Sequence, residues 1–214
     1  MQLDNIKTKI KEDIKEVFND IRKDIYGYFK QDTNVSLLRN HLKNIVPTII
    51  KSKINILYDT LLNYLVNEAN STLNSEDYMI QLDFNSKSFE IRKKINEALK
   101  LHSDELKLST DPRYIYGGIT GGGTFIVGSA FTVLIPGGLF IKSITGLATI
   151  ALSIVAFKMG FDKSSGISIK KLKEDLEKFL IETEQQFYIW IEDVIKAFNE
   201  EFLEFCKEKR INYE

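Results

Sequence analysis

The chain has 214 residues, and Lys+Arg 29 against Asp+Glu 30 give a formal net charge of −1. This balance excludes the global basic excess typical of nucleic-acid binders, so we expect no nucleic-acid partner. One cysteine and two histidines, His41 and His102, exclude a disulfide framework and argue against a Cys- or His-rich metal site. The sequence also lacks a P-loop, a His-Glu-x-x-His and a Gly-x-Ser-x-Gly motif. We therefore predict no catalytic residues, no metal and no cofactor, and a protein that is not an enzyme.

The charges are distributed unevenly along the chain. Residues 115–157 include one charge, Lys142, and nine of the twelve glycines, whereas about one residue in three is charged elsewhere. The composition predicts one structural domain with three parts: an amphipathic helical bundle segment (1–114), an apolar Gly-rich hairpin (115–158, here the apolar segment) and a long C-terminal helix packing back on the bundle (159–214).

The first part of the chain has the apolar spacing of amphipathic helices. A first helix is predicted from apolar residues that recur about every 3.6 positions: Leu3, Ile6, Ile10, Ile14, Val17, Ile21, Ile25 and Tyr28. A second runs from about Ser36 to Asn70, with a wide apolar face that includes Leu37. Pro47 is expected to kink or split it, because proline removes a backbone donor.

Two further helices are predicted beyond residue 70. The stretch 70–77 is interpreted as a connection, and a shorter helix follows over about 88–106 with Phe89 on its apolar side. The last helix is predicted over about 166–209, roughly 66 Å at 1.5 Å per residue. Its stripe is predicted at Ile169, Leu172, Leu176, Phe179, Thr183, Phe187, Ile191, Val194, Phe198, Phe202 and Phe205, with Trp190 beside it and Cys206 buried. The predicted fold class is all-α: an elongated helical bundle.

The apolar segment divides into two arms. Ile119–Ile135 spans 17 uncharged residues and Leu139–Phe157 spans 19 residues, with the turn signal Pro136-Gly137-Gly138 between them. A transmembrane helix needs about 20 apolar residues, and about 17 suffice. The sequence therefore predicts a hairpin that inserts into a lipid bilayer.

The predicted membrane-inserting residues are Ile119, Phe125, Val127, Phe131, Val133, Leu134, Ile135, Pro136, Gly137, Gly138, Leu139, Phe140, Ile144, Leu147, Ile150, Leu152, Val155 and Phe157. The predicted interfacial residues are Arg113, Tyr114, Tyr116, Lys142 and Lys158, because aromatic and cationic side chains favour the headgroup region. The β-branched and aromatic stretches 124–127 and 131–135 also allow a β-tongue in the soluble form.

The order of elements, with the glycines of 117–123 and the tip at 136–138, resembles the α-helical pore-forming toxins of the cytolysin A and haemolysin BL type. That resemblance implies a hydrophobic tongue held by an elongated bundle and released into a bilayer. The pattern is also similar to the stalk and paddle of bacterial dynamin-like proteins without their GTPase domain. A colicin-like bundle around a buried apolar hairpin shares the mechanism of the first resemblance.

We interpret the chain as a membrane-inserting, pore-forming or membrane-permeabilising toxin or effector. The predicted partners are a lipid bilayer and further subunits, either copies of this chain or others, on the membrane. No apolar stretch typical of a signal peptide follows Met1, so we expect a cytoplasmic or non-classically exported soluble form that becomes membrane-associated. Two alternatives stay open: a dynamin-like membrane-remodelling partner, and a soluble scaffold whose hairpin binds a protein. A third interpretation is that the apolar arms form the centre of a larger soluble bundle and are buried on all sides.

Overall fold

The computed structural model describes residues 2–30, 34–75, 78–90, 93, 157 and 168–211. Helices α1 (Leu3–Gly27), α2 (Val35–Thr72) and α4 (Ile169–Glu208) account for most of them, and α3 covers residues 78–90. No strand occurs in these ranges, which confirms the predicted all-α class for the part described. The 38 residues of α2 and the 40 of α4 are each about 60 Å long at 1.5 Å per residue, as expected of an elongated bundle.

Helix α1 buries one stripe, as its spacing predicts, but the predicted members Leu3 and Tyr28 are only half-buried and one position is exchanged. The buried residues are Ile6, Ile10, Ile14, Phe18, Ile21 and Ile25. Val17, predicted in the stripe, is only half-buried, and Phe18 takes its place. Both positions fit a 3.6-residue period between Ile14 and Ile21, and the larger ring is buried because it makes an edge contact with Phe187 of α4, 5.7 Å between centroids.

Helix α2 is continuous through Pro47, so the predicted split does not occur. Pro47 is buried between Val46 and Ile50, which are also buried, so the surrounding turns are held by packing where one backbone hydrogen bond is missing. Asn34 caps the helix by accepting a hydrogen bond from the backbone amide of Ser36 at 2.9 Å. Leu37, predicted on the apolar face, is instead 64% exposed in the first turn.

The prediction for the region after residue 70 was wrong in its boundaries. Helix α2 extends to Thr72, a 3₁₀ turn covers Leu73–Ser75, and residues 78–90 are already helical, ten residues before the predicted start. The side-chain amide of Gln81 donates to the Leu73 carbonyl at 3.0 Å. That of Asn70 donates to Asn85 at 2.9 Å. Helix α3 therefore turns back along the end of α2.

Ser168 caps helix α4, because its hydroxyl accepts a hydrogen bond from the backbone amide of Lys171 at 3.3 Å. Its predicted stripe is buried from Leu172 to Phe205, whereas Ile169, in the first turn, is 40% exposed. The one polar member, Thr183, is buried because its hydroxyl donates to the Phe179 carbonyl at 2.7 Å. The predicted packing of Trp190 beside Phe187 is confirmed, with ring centroids 5.5 Å apart, and Cys206 is buried, in agreement with the prediction.

The three long helices pack on one another, with α1 against both α2 and α4. Contacts between residues on different helices show the relative directions of the helices. Lys11 contacts Glu192 and Arg22 contacts Glu184, so α1 and α4 are antiparallel. Gln2 bonds to Glu68 while Tyr28 touches His41, so α1 and α2 are antiparallel as well. Between α2 and α4, Tyr58 stacks on Trp190, and α3 packs on the C-terminal third of α4 through Phe84.

Candidate functional site

Most of the predicted membrane site lies outside the described residues. This holds for the membrane-inserting residues from Ile119 to Val155 and for all the interfacial ones, Arg113, Tyr114, Tyr116, Lys142 and Lys158. Phe157, at the end of the second arm, is the one predicted site residue that the structure describes.

Phe157 lies in the core of the bundle. It is helical and 1% exposed, and its ring stacks on that of Phe179 with centroids 4.1 Å apart and planes inclined by 21°. Phe179 is 2% exposed and lies in the third turn of α4. In this conformation, the C-terminal boundary of the apolar segment is fixed to the bundle near the start of α4, in the half where α1 ends and α2 begins.

A polar cluster joins α1 to the same part of α4. The Arg22 guanidinium donates through Nε to Glu177 at 3.0 Å and through Nη2 to Glu184 at 2.7 Å. Tyr26 donates its hydroxyl to the second oxygen of Glu177, and Tyr188 donates to Glu184 at 3.3 Å. We call these five residues the α1–α4 clasp. One arginine bridging two carboxylates fixes the axial position of α1 on α4.

Partial burial and the two glutamates shift the pKa values of the other clasp residues. Burial, followed by the hydrogen bond and charge of Glu177, raises the pKa of Tyr26 to about 12. Burial and then the charge of Glu184 raise the pKa of Tyr188. For Arg22, burial alone would lower the pKa, but the hydrogen bonds and charges of the two glutamates outweigh it and raise the pKa. The cluster therefore favours a charged guanidinium and neutral phenols.

Sequence reasoning did not identify the clasp. Its signal is weak: Arg22 and Tyr26 are four residues apart on α1, and Glu177 and Glu184 are seven apart on α4, so each pair shares a helix face beside an apolar stripe. Such pairs are common on solvated helices. Only the antiparallel pairing of the two helices shows that they meet.

A second feature that the sequence did not reveal is the solvent side of α3. Phe84 holds the opposite side against α4, with edge contacts to the rings of Phe202 and Phe205 at 5.4 and 5.3 Å. Tyr78 and Phe89 are each 68% exposed, and Leu82 is 43% exposed. At about 100° per residue, these three side chains fall within about 40° of one another. We call Tyr78, Leu82 and Phe89 the α3 outer face.

The described ranges contain no group of three or more His, Cys, Asp or Glu residues suited to hold a metal ion. Within the same ranges, no helix combines the length and the apolar character that crossing a membrane requires. No protein-family model, curated protein or solved structure matches the chain.

Proposed function

We propose that this chain is a membrane-inserting protein that permeabilises bilayers through its apolar segment (115–158). The bundle of helices α1, α2, α3 and α4 holds that segment. The observation that carries the proposal is the contrast between the two parts. Helices α1 and α4 each bury one apolar stripe and expose charged side chains, whereas residues 115–157 include a single charge, Lys142.

The packing of the bundle supports this division. Aromatic contacts link α4 directly to α1, through Phe187 with Phe18, and to α2, through Trp190 with Tyr58. The stripes of the long helices thus find partners among themselves. The apolar segment contributes one described residue to this core, Phe157, which buries its ring on α4.

Insertion of the segment is favourable by ordinary lipid energetics. Transfer of apolar side-chain surface from water into lipid is favourable by about 25 cal/mol per Å². Either arm is long enough to cross the hydrocarbon layer as a helix. Inside lipid every backbone group needs a partner within the hairpin or on a neighbouring subunit, which favours helices and oligomers as the inserted form. Lys142 lies four residues past the tip, where its amine can reach the far interface.

Release of a trapped dye from liposomes tests the proposal. The purified chain, added to vesicles of phosphatidylcholine and phosphatidylglycerol, is expected to release dye in a concentration-dependent manner and to remain with the vesicles after an alkaline wash. A chain with residues 119–155 replaced by a Gly/Ser linker is the matched control and should release none. If the intact chain released no dye and did not bind vesicles, the alternative of a protein-binding scaffold would replace this proposal.

A further inference from the structure

We infer that the α3 outer face (Tyr78, Leu82, Phe89) is a second lipid contact, which docks the side of the bundle on an anionic membrane surface. The inference deepens the proposed function, since it gives the bundle a membrane contact of its own outside the apolar segment. It depends on the exposure, spacing and charge of α3 residues.

The three side chains are held outward by the rest of the helix. Phe84, on the other side of α3, is 5% exposed and packs among three phenylalanines of α4. Asp83 forms an ion pair with Lys209, and Lys87 lies 4.0 Å from Glu208. Contacts along the inner side thus fix the rotation of α3, and the outer face cannot turn into the bundle without breaking them.

The charges of α3 suit a lipid surface. Its two carboxylates in residues 78–90, Asp83 and Glu90, lie about 80° or more around the helix from the outer face. Lys93, also helical and exposed, falls four residues after Phe89. Tyrosine and phenylalanine favour the headgroup region, no acid lies in the arc of the outer face, and the exposed Lys93 beside it brings a positive charge towards anionic lipid.

The size of the face favours lipid over a protein partner. A tyrosine or phenylalanine side chain has about 150–250 Å² to bury. Two of them at 68% exposure therefore present about 200–350 Å², and Leu82 adds a smaller area. A stable protein interface buries about 800 Å² on each partner. A second copy of the chain docked on this face alone would fall well short, whereas a bilayer needs no minimum area or matching shape.

The test places an environment-sensitive NBD label on the face. In a chain carrying Cys206→Ala, Leu82→Cys is labelled and compared with Ile189→Cys, a position on α4 that is 66% exposed. With phosphatidylcholine and phosphatidylglycerol vesicles, we expect a blue shift and a several-fold rise in emission at position 82 and little change at position 189. In parallel, the unlabelled double variant Tyr78→Ser/Phe89→Ser should bind vesicles at least about tenfold more weakly, while Ile189→Ser binds normally.

The outcomes separate the two proposals. A response at position 82 without dye release would leave the docking surface standing and remove the pore-forming function. Dye release with no response at position 82, or equal vesicle binding by the double variant, would overturn the docking surface alone. A response at position 82 with a second copy in place of vesicles would show that the face is a protein interface, which also overturns it. Unchanged helix content by circular dichroism checks that every variant is folded.

Discussion

Phe157 stacks on Phe179 with the two rings nearly parallel and both buried. This contact links the end of the apolar segment to the helix that follows it. Phe179 is two residues from Glu177, which forms an ion pair with Arg22 of α1. The aromatic contact therefore lies in the same turn of α4 as Glu177, the first α4 residue of the α1–α4 clasp. Any conformation in which the segment leaves the bundle as far as Phe157 must first break this stacking.

Replacing Phe157 by alanine tests its contribution to the folded state. Loss of a fully buried phenylalanine costs about 3–5 kcal/mol of unfolding free energy. The matched control is Phe89→Ala, the same substitution at a side chain that is 68% exposed, which should change the unfolding free energy by less than about 0.5 kcal/mol. Urea unfolding followed by circular dichroism measures both. Equal effects of the two substitutions would show that Phe157 is not a core residue in solution.

The α1–α4 clasp should contribute more to stability than the exposed ion pairs do. In Arg22→Met, Glu184 loses its cationic partner although its side chain is only 15% exposed, and we expect a loss of about 1–3 kcal/mol. The control is Lys11→Met, which removes an ion pair to Glu192 in which the side chains are 47% and 54% exposed. That change should cost at most about 1 kcal/mol. A double-mutant cycle of Arg22→Met with Glu184→Gln isolates the pair; a coupling energy near zero would contradict the structural role of the clasp.

Tyr26 gives the bundle a defined alkaline response. Its pKa is about 12 in the folded chain against 10.0 for an ordinary tyrosine, so folding favours the neutral phenol. This stabilisation is complete below about pH 10 and is lost as the pH rises from about 10 towards 12. Thermal unfolding across that range should show a steeper loss for the wild type than for Tyr26→Phe. Because Tyr188 and Tyr64 also have raised pKa values, the variant should keep part of the slope. Identical slopes would contradict the assignment.

The sequence predicted the bundle well wherever one period dominates. The stripes of α1 and α4 were correct except at Leu3, Val17, Tyr28 and Ile169, because a repeat of about 3.6 residues over seven or more turns leaves little ambiguity. The sequence did not identify the buried side of α3, because apolar residues lie at helical spacing from both Phe84 and Phe89. Only the ring cluster on the C-terminal part of α4 decides that Phe84 is buried.

The features that could carry function were less predictable, for two different reasons. The clasp depends on the pairing of residues 155 and 162 positions apart, Arg22 with Glu177 and Glu184, and a periodic pattern within one helix contains no information on such pairs. The apolar segment, in contrast, is evident from composition alone. Its membrane insertion stays a prediction, since all its predicted residues but Phe157 lie outside the described part of the chain.

Gly137 and Gly138 test the predicted hairpin tip. If they form the turn between the two arms, Gly137→Val/Gly138→Val should impair dye release, because β-branched residues resist the positive φ angles that tight turns require. The helix content of the chain without lipid should hardly change. Ser143→Val, a nearby substitution outside the tip, is the control and should release dye normally. Loss of folding in the double variant would instead indicate that the tip is a packing element of the bundle.

Val133→Asp discriminates most sharply between a lipid-inserting segment and an ordinary core. The position lies in the uncharged run 119–135, three residues before the tip. A carboxylate costs about 2.5–3.5 kcal/mol at the centre of a bilayer on insertion scales and less towards the interface, and 1.4 kcal/mol corresponds to a factor of ten. Because position 133 lies near the tip, we expect alkali-resistant insertion and dye release to fall by about tenfold or more, while the unfolding free energy without lipid changes by less than about 1 kcal/mol. Val133→Leu, which changes shape without charge, should behave as the wild type. In a buried core the same aspartate would be stranded without a partner, and the fold itself would fail. Collapse of the folded chain together with retained lipid insertion would refute the insertion mechanism.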